Sequence, residues 1–229
     1  MPEAGAEGGI RPVPQTGFAG ESLSCLRGER LVFREVSFHL EPGGALLLEG
    51  PNGSGKSSLL RLCAGLLKPA EGRLVYKGRD IAQDPEAHRA RLAYVGHLDA
   101  VKAVFTVAEN LAFWAALVPG GAGRAQAALE RFELDHLAEV PGRFLSAGQR
   151  RRLALARILV QPADLWLLDE PTNSLDRAAC EALTAAIATH RSGGGLVVAA
   201  THVDLGLGTV PVLRLGSPAP APAVAPEVS

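Results

Sequence analysis

The amino-acid sequence predicts one α/β domain with a mixed core sheet, and two observations carry this prediction. Short β-rich runs alternate with helical stretches, and 47% of the 229 residues are hydrophobic, which is enough for one sizeable core. The runs follow the order of hairpin-like strands, strand and helix, a mainly helical block, and then strand, helix and strand. This order indicates an antiparallel β subdomain and a helical insert beside the core sheet.

Each element follows from a local pattern. The segment 29–44, ERLVFREVSFHLEPGG, alternates as a strand does before a Pro-Gly turn, and the segment 45–50, ALLLEG, indicates a buried strand. The segment 56–72 repeats leucines at helical spacing until Pro69 ends the helix. The same periodicities predict strands at 72–80, 91–97, 163–171 and 195–202, and helices at 107–117, 123–137 and 146–161.

We expect the folded domain to span residues 22–215, with a helical subdomain at about 98–145. A flexible N-terminal lead, 1–21, precedes this domain, and a Pro/Ala-rich disordered tail, 216–229, follows it. The chain is thus predicted to contain one domain with two unstructured ends.

Composition excludes several classes of protein. The net charge of −1 gives no electrostatic basis for binding a nucleic acid. No apolar run approaches the roughly 20 residues that a membrane-spanning helix needs. The cysteines Cys25, Cys63 and Cys180 are widely spaced and outside any C-x-x-C pair, so they indicate neither a disulfide framework nor a zinc site. A reducing, cytosolic compartment fits this composition.

The segment GPNGSGKS, residues 50–57, has the pattern of a phosphate-binding loop and lies between a predicted strand and a predicted helix. Glycines allow backbone N–H groups to converge on phosphate oxygens, and the helix N-terminus adds positive potential. Lys56 supplies a full charge for the β- and γ-phosphates, and the Ser57 hydroxyl is a ligand for Mg²⁺. The alternative is a glycine-rich turn that contains a lysine by chance.

The segment LWLLDEP, residues 165–171, ends a buried strand with two carboxylates. Asp169 at the carboxyl end of that strand is suited to hold Mg²⁺ beside the loop at 50–57. Glu170 is suited to orient or deprotonate a water that attacks the γ-phosphate. Without the phosphate loop, the same letters indicate only a strand followed by a solvated turn.

The segment LSAGQRRRLALARI, residues 145–158, predicts a second helix start that can bind an anion. Ser146 is a natural N-cap, and Gly148 leaves backbone N–H groups exposed. The arginines at 150–152 form either an anion patch or, as the spacing of the apolar residues favours, the solvated side of this helix. A nucleotide has one γ-phosphate, and the second helix start has no companion carboxylate or lysine. The binding of one nucleotide by one chain therefore does not explain the second site.

Five segments in this order resemble the motifs of ABC transporter nucleotide-binding subunits: GPNGSGKS, LSAGQ, LLDEP, NSLD and ATH. The resemblance covers about Leu23 to Leu215 and implies a P-loop NTPase fold of the ABC ATPase type. It implies ATP and Mg²⁺ as cofactors. It also implies a second copy of the chain as a partner, packed head to tail, so that each signature segment LSAGQ closes on the ATP of the other copy.

The resemblance assigns roles by position. It implies that Glu170 is the catalytic base, that His202 contacts the γ-phosphate, and that Ser57 and Asp169 hold Mg²⁺. The nucleotide-binding positions of the loop are Gly50, Pro51, Asn52, Gly53, Ser54, Gly55, Lys56, Ser57 and Ser58. The positions that serve the ATP of the partner copy, or lie at the dimer seam, are Ser146, Gly148, Gln149 and Asp176.

His97 narrows the resemblance. Most ABC ATPases have a glutamine nine residues before a Thr-Val pair, and His97 stands at that position, nine residues before Thr106-Val107. The segments VGHLDAVK and FTVAEN resemble the ATP-binding subunits of the haem-exporter-type complexes of cytochrome c maturation. That group implies a peripheral ATPase on the cytoplasmic face of the bacterial inner membrane. Its implied partners are a CcmB-type permease and a CcmC-type haem-handling protein, and its ATP hydrolysis would drive haem delivery or release of a haem-loaded chaperone.

Two positions depart from the usual ABC pattern. Arg27 stands where an aromatic residue commonly packs under the adenine, and a guanidinium can stack on a base in its place. His97 is expected to act at the catalytic site, although its imidazole is shorter than a glutamine side chain. An ABC transporter ATPase with other cargo and a soluble ABC-type assembly ATPase remain the alternatives.

Overall fold

The computed structural model describes residues 16–216. The strands are β1 Phe18–Arg27, β2 Arg30–Leu40, β3 Ala45–Glu49, β4 Glu71–Tyr76, β5 Arg79–Asp80, β6 Leu92–Val95, β7 Leu165–Asp169, β8 Leu196–Ala200 and β9 Val212–Arg214. The helices are α1 Lys56–Cys63, α2 Pro85–Arg89, α3 Val107–Ala115, α4 Gly121–Arg131, α5 Ala147–Val160 and α6 Arg177–Ser192. Three 3₁₀ turns lie at Ile81–Gln83, Asp135–Leu137 and Gly142–Phe144.

The strands form two sheets. The core sheet has the order β6-β7-β8-β3-β9, and all of its pairs are parallel. The second sheet has the order β2-β1-β4-β5, and all of its pairs are antiparallel. The predicted α/β class with an antiparallel subdomain is confirmed, but the described core sheet is parallel rather than mixed. The strands β7 and β8 are buried at every position, as a parallel strand covered on both faces must be.

Strand β7 lies between two hydrophobic clusters. Its residues Trp166 and Leu168 belong to the cluster that packs against α3, α4 and α5, whereas Leu165 and Leu167 belong to the cluster around α1 and the antiparallel sheet. This alternation follows from the twofold period of a strand. The carboxyl end of β7 is therefore held from both sides.

The beginning of the fold differs from the prediction. The structure starts β1 at Phe18, inside the segment expected to be a flexible lead, and the Phe18 side chain is 1% exposed. Its ring lies 5.7 Å from that of Phe38 and 6.1 Å from that of His88. Because these contacts come from distant segments, the few apolar residues before Ser22 did not indicate a strand. The rest of the predicted lead and the tail from 217 onward lie outside the described residues.

The predicted strand 72–80 is two strands, because Lys77 with φ +48° and Gly78 with φ +77° form a turn between β4 and β5. The predicted start of α3 is confirmed, since Thr106 caps it in a capping box with Glu109. Between residues 16 and 216, no helix combines the length and the apolar content required to cross a membrane.

Candidate functional site

The loop between β3 and α1 has a backbone that favours glycine. Gly50 has φ +146°, Gly53 has φ +81° and Gly55 has φ +103°. A Cβ at Gly55 would also meet Val32 Cγ1 at 2.6 Å, so the loop packs directly against β2. Gly55 is the N-cap of α1 and provides no side-chain cap, which leaves the first N–H groups of the helix available to a ligand.

Lys56 closes this loop from within. Its side chain is largely buried, and its ammonium donates to the carbonyl oxygens of Gly50 at 2.6 Å and Pro51 at 3.3 Å. Ser54 is fully buried beneath the loop, and its hydroxyl has no hydrogen-bond partner in the described chain. The ammonium of Lys56 thus lies where phosphate oxygens of a ligand can replace the two carbonyls as its hydrogen-bond acceptors.

The carboxylates lie at the carboxyl end of β7. Asp169 is 3% exposed, and its Oδ2 is buried without a hydrogen-bond partner in residues 16–216. Glu170 has φ +46°, a left-handed conformation that is strained for a glutamate. Because β7 and β8 are neighbours, the Glu170 side chain comes close to the residue pair after β8, and its Oε1 lies 3.7 Å from Nε2 of His202.

A cavity of about 730 Å³ joins these groups. The predicted site residues that line it are Arg27, Asn52, Gly53, Gly55, Lys56, Ser57, Ser58, His97, Asp169, Glu170 and His202. Gly50, Pro51 and Ser54 belong to the same loop without lining the cavity. His97 is exposed and stands at the rim, where it also lines a smaller cleft of about 200 Å³ beside Glu170.

Four lining residues were missed from the sequence: Arg30, Val32, Arg61 and Asn173. Arg30 pairs with Arg27 across the β1–β2 turn, and Arg61 lies one helical turn after Ser57 on α1. Both positions could have been found from hairpin register and helical spacing. With Arg27 and Lys56, these arginines give the cavity four cationic side chains against two carboxylates, a balance that suits a polyphosphate.

The cavity also offers oxygen donors for a metal ion. No group of three or more His, Cys, Asp or Glu side chains that could hold a metal exists within residues 16–216. Ser57 and Asp169 do line the same cavity, and the unpartnered Asp169 Oδ2 is an available acceptor. A hydroxyl and one carboxylate fit Mg²⁺, which uses one or two carboxylates together with substrate phosphates.

The predicted signature residues do not line this cavity. Ser146 is the N-cap of α5, in a capping box with Gln149: the Gln149 N–H donates to Ser146 Oγ at 3.2 Å, and the Ser146 N–H donates to Gln149 Oε1 at 2.8 Å. Gly148 lies against the loop after β7, because a Cβ there would be 2.7 Å from the carbonyl oxygen of Ser174. The predicted N-cap at Ser146 is confirmed.

Asp176 is the N-cap of α6 and does not line the cavity either. Its carboxylate accepts a hydrogen bond from the Ala179 N–H at 3.0 Å and pairs with Arg152 of α5. The pKa of Asp176 is lowered, first by the Ala179 hydrogen bond and then by the Arg152 charge. Asp176 therefore joins the starts of α5 and α6.

The prediction that the arginines at 150–152 face solvent is wrong for Arg151. Only 5% of its side chain is exposed, and its guanidinium donates to backbone carbonyls at the end of β7. The leucine spacing marks only one face of α5, and the helix is buried on a second face by the loops that surround the carboxylates. Those loops are distant in sequence, so local periodicity could not indicate them.

Sequence comparison identifies relatives of the whole domain. Residues 33–173 match the family described as "ABC transporter". A Rhodospirillum rubrum protein described as "Cytochrome c biogenesis ATP-binding export protein CcmA" is 58% identical over 205 residues, which cover 90% of this chain and 88% of that protein. The protein of the same description from Paramagnetospirillum magneticum is 56% identical over 194 residues, which cover 83% of this chain and 89% of that protein.

Solved structures agree on the fold. A structure described as the ATP-binding subunit of an ABC transporter has a TM-score of 0.78 at 23% identity and covers 88% of each chain. A protein from Pyrococcus furiosus described as a putative ABC transporter ATP-binding protein has a TM-score of 0.75 at 24% identity and covers 87% of this chain. By sequence and by fold, this chain belongs to the ABC transporter family and, within it, to the cytochrome c biogenesis ATP-binding export proteins called CcmA.

Proposed function

We propose that this chain is the ATP-hydrolysing subunit of a haem-exporter-type membrane complex of cytochrome c maturation. Membership of the ABC transporter family makes it a nucleotide-binding ATPase. The observation that carries the residue assignment is the convergence of the glycine loop, Asp169, Glu170 and His202 on one cavity. Hydrolysis would drive haem delivery or release of a haem-loaded chaperone. The relatives described as cytochrome c biogenesis ATP-binding export proteins support a role in cytochrome c biogenesis.

ATP would bind with its phosphates over the start of α1. The glycine loop supplies N–H groups there, and its members from Gly50 to Ser58 contact or shape the phosphate path. Lys56 would exchange its contacts with the Gly50 and Pro51 carbonyls for phosphate oxygens. Arg27 and Arg30 line the end of the cavity near the β1–β2 turn, where a guanidinium can stack on the base.

Ser57 and Asp169 would hold Mg²⁺. The unpartnered Oδ2 of Asp169 supports this role, because a buried carboxylate oxygen without a donor is costly unless a cation or water binds it. When bound, Mg²⁺ supplies positive charge to the β- and γ-phosphate oxygens.

Glu170 would orient and deprotonate the attacking water. Its side chain lines the cavity, and its position next to His202 supports a pair in which the carboxylate acts on the water and the imidazole contacts the γ-phosphate. His97 would complete the site from the rim, since it lies at the cleft that joins Glu170 to the start of α5.

A second copy of the chain would complete the site. The family resemblance assigns Ser146, Gly148, Gln149 and Asp176 to the ATP of a partner packed head to tail, and none of them lines the cavity of their own chain. The start of α5 carries backbone N–H groups suited to such a phosphate.

The membrane partners would bind on the helical-insert side. Apolar side chains are exposed there, including Leu98 at 81%, Val104 at 72% and Phe144 at 67%. Contiguous exposed apolar patches commonly mark protein interfaces, and we infer that these side chains belong to such a patch. The family resemblance names a CcmB-type permease and a CcmC-type haem-handling protein as these partners. Through them the chain would be a peripheral protein on the cytoplasmic face of the bacterial inner membrane.

The Glu170→Gln variant tests the catalytic assignment. We expect ATP binding to persist and turnover to fall about 100- to 10,000-fold, because the amide keeps the shape of the site but cannot accept the proton. Bound nucleotide and released phosphate are measured on the same purified complex. The exposed Glu181, paired with Arg177 on α6, offers the matched control Glu181→Gln, whose turnover should equal wild type. Wild-type turnover by Glu170→Gln would overturn the assignment.

The physiological role is tested in cells. A strain that carries only the Glu170→Gln chain should lack haem-stained c-type cytochromes, whereas Glu181→Gln should support them. Normal cytochrome c levels in the Glu170→Gln strain, together with lost ATPase activity, would show that the ATPase acts on other cargo.

A further inference from the structure

Arg151 of α5 donates hydrogen bonds to the backbone carbonyls of Asp169 and Glu170, the two residues whose carboxylates line the cavity. Its Nη2 donates to the carbonyl oxygens of both Asp169 and Glu170 at 2.7 Å, and its Nε donates to that of Pro171 at 3.2 Å. One guanidinium thus binds three consecutive carbonyls at the point where β7 ends. A side chain from a different element defines the path of the backbone that carries both carboxylates.

The same guanidinium also reaches the loop that carries His97. Its Nη1 donates to the Gly96 carbonyl at 2.9 Å and to Asp99 Oδ1 at 3.1 Å. The side chain of Asp99 is 25% exposed and is the one carboxylate paired with Arg151 in the described chain. Arg151 therefore joins the start of α5, the loop 96–99 and the end of β7.

The burial of Arg151 is costly unless all of its donors are engaged. The guanidinium meets this condition with four carbonyls and one carboxylate in a planar fork. A lysine would present a single ammonium and could not span these acceptors. Because burying this charge is costly and its hydrogen bonds join three elements, Arg151 is better explained as positioning those elements than as keeping the surface soluble.

Glu170 is the residue that needs this support. Its left-handed conformation is strained, and such strain persists only where the surroundings hold it. The Glu170 N–H donates to the Ala200 carbonyl at 2.8 Å, and the Glu170 carbonyl accepts from Asn173 N–H at 3.2 Å in addition to Arg151. Without Arg151, the shortest of the contacts to that carbonyl is lost.

We propose that Arg151 is a positioning residue that holds Glu170 in its strained conformation and ties it to the loop 96–99. This inference rests on the proposed role of Glu170 as the base. It assigns the alignment of the base to a side chain outside the nucleotide cavity. A displacement of the start of α5 or of the loop 96–99 would move the Arg151 guanidinium and, through its hydrogen bonds, the backbone of Glu170.

The first test compares Arg151→Gln and Arg151→Lys with wild type in the purified complex. We expect kcat to fall about 10- to 100-fold, because a misplacement of about 1 Å is enough to cause such a loss. KM for ATP and the affinity for a fluorescent ATP analogue should stay unchanged, because Arg151 does not line the nucleotide cavity. Arg151→Lys keeps the charge and covers the case in which Arg151→Gln fails to fold.

Arg157 provides the matched control. It lies on the same helix and donates to a backbone carbonyl, that of Tyr94, at 2.7 Å, but it has no contact with the carboxylates. Arg157→Gln should reduce thermal stability without lowering kcat. Equal losses of kcat in Arg151→Gln and Arg157→Gln would show that only helix stability matters, and would overturn the proposal.

The second test places Arg151→Gln in the Glu170→Gln background and measures single-turnover hydrolysis. If Arg151 acts through the base, the double variant should hydrolyse ATP as slowly as Glu170→Gln alone. Full additivity of the two losses would overturn the proposal. Wild-type turnover in Glu170→Gln would instead overturn the proposed role of Glu170 as the base. Wild-type turnover in Arg151→Gln with a slow Glu170→Gln would overturn this inference alone.

Discussion

Two helix starts in this chain have the same physical potential but are built differently. The start of α1 has Gly55 as its N-cap, with no side-chain cap, and its lysine bonds to carbonyls of its own loop. The start of α5 has Ser146 in a capping box with Gln149 and is tied to other elements by Arg151. The start of α1 therefore begins at a glycine without a side-chain cap, whereas the start of α5 is capped by its own side chains.

The difference explains how each start can be used. At α1 no side chain caps the helix, so its first N–H groups are available for an anion. At α5 the cap occupies part of the local hydrogen bonding, and Gly148 allows the helix to lie against the Ser174 carbonyl. The start of α5 thus packs against the loop after β7, whereas the start of α1 packs against β2.

The largest expected effect is at α1. Lys56→Ala should weaken ATP binding roughly 10- to 150-fold, because a hydrogen bond to a charged group contributes about 1.5–3 kcal/mol. Titration of a fluorescent ATP analogue measures the change. Lys68→Ala, at an exposed lysine in the segment after α1, should bind as wild type does. Unchanged affinity in Lys56→Ala would contradict the assignment of the loop as the phosphate site.

The next effect is at α5. Gly148→Ala should lower stability by about 1–3 kcal/mol, because the new Cβ meets a backbone carbonyl and the loop after β7 must shift. Gly123→Ala is the control, since Gly123 lies in α4 with no atom within 4 Å of an added Cβ. That variant should gain about 0.5–1 kcal/mol from helix propensity. Chemical unfolding measures the change in the free energy of unfolding for each variant. A change of the same sign in both variants would contradict the close packing at Gly148.

The smallest effect separates capping from function. Ser146→Ala and Thr106→Ala each remove a capping-box hydroxyl, and each should lower stability by about 1 kcal/mol. If the start of α5 serves the ATP of a second copy, only Ser146→Ala should also reduce turnover. A comparison of thermal unfolding with ATPase activity tests this difference. Equal turnover in the two variants would limit Ser146 to capping.

Local patterns indicated most of the elements. Buried runs predicted β3, β7 and β8, the helical periodicity from Val107 predicted the start of α3, and the capping residue Ser146 predicted the start of α5. The nucleotide cavity was predicted at its centre, where loop, carboxylates and histidines follow one another in recognisable segments. Four lining residues were missed, Arg30, Val32, Arg61 and Asn173, because the motifs assigned no role to them. Arg30 and Arg61 follow only from the pairing of β1 with β2 and from the helical spacing of α1.

The sequence by itself determined the α/β class, the family and the chemical groups of the site, because those depend on hydrophobic period and on residues that are neighbours in the chain. Only the tertiary structure decided that the described core sheet is parallel, that β1 begins at Phe18, and that Arg151 is buried. The physical reason is that a side chain on a second face of a helix finds its partners in loops far away in sequence. The leucine spacing of α5 predicts which face packs on the core, but it does not predict the backbone carbonyls to which Arg151 donates.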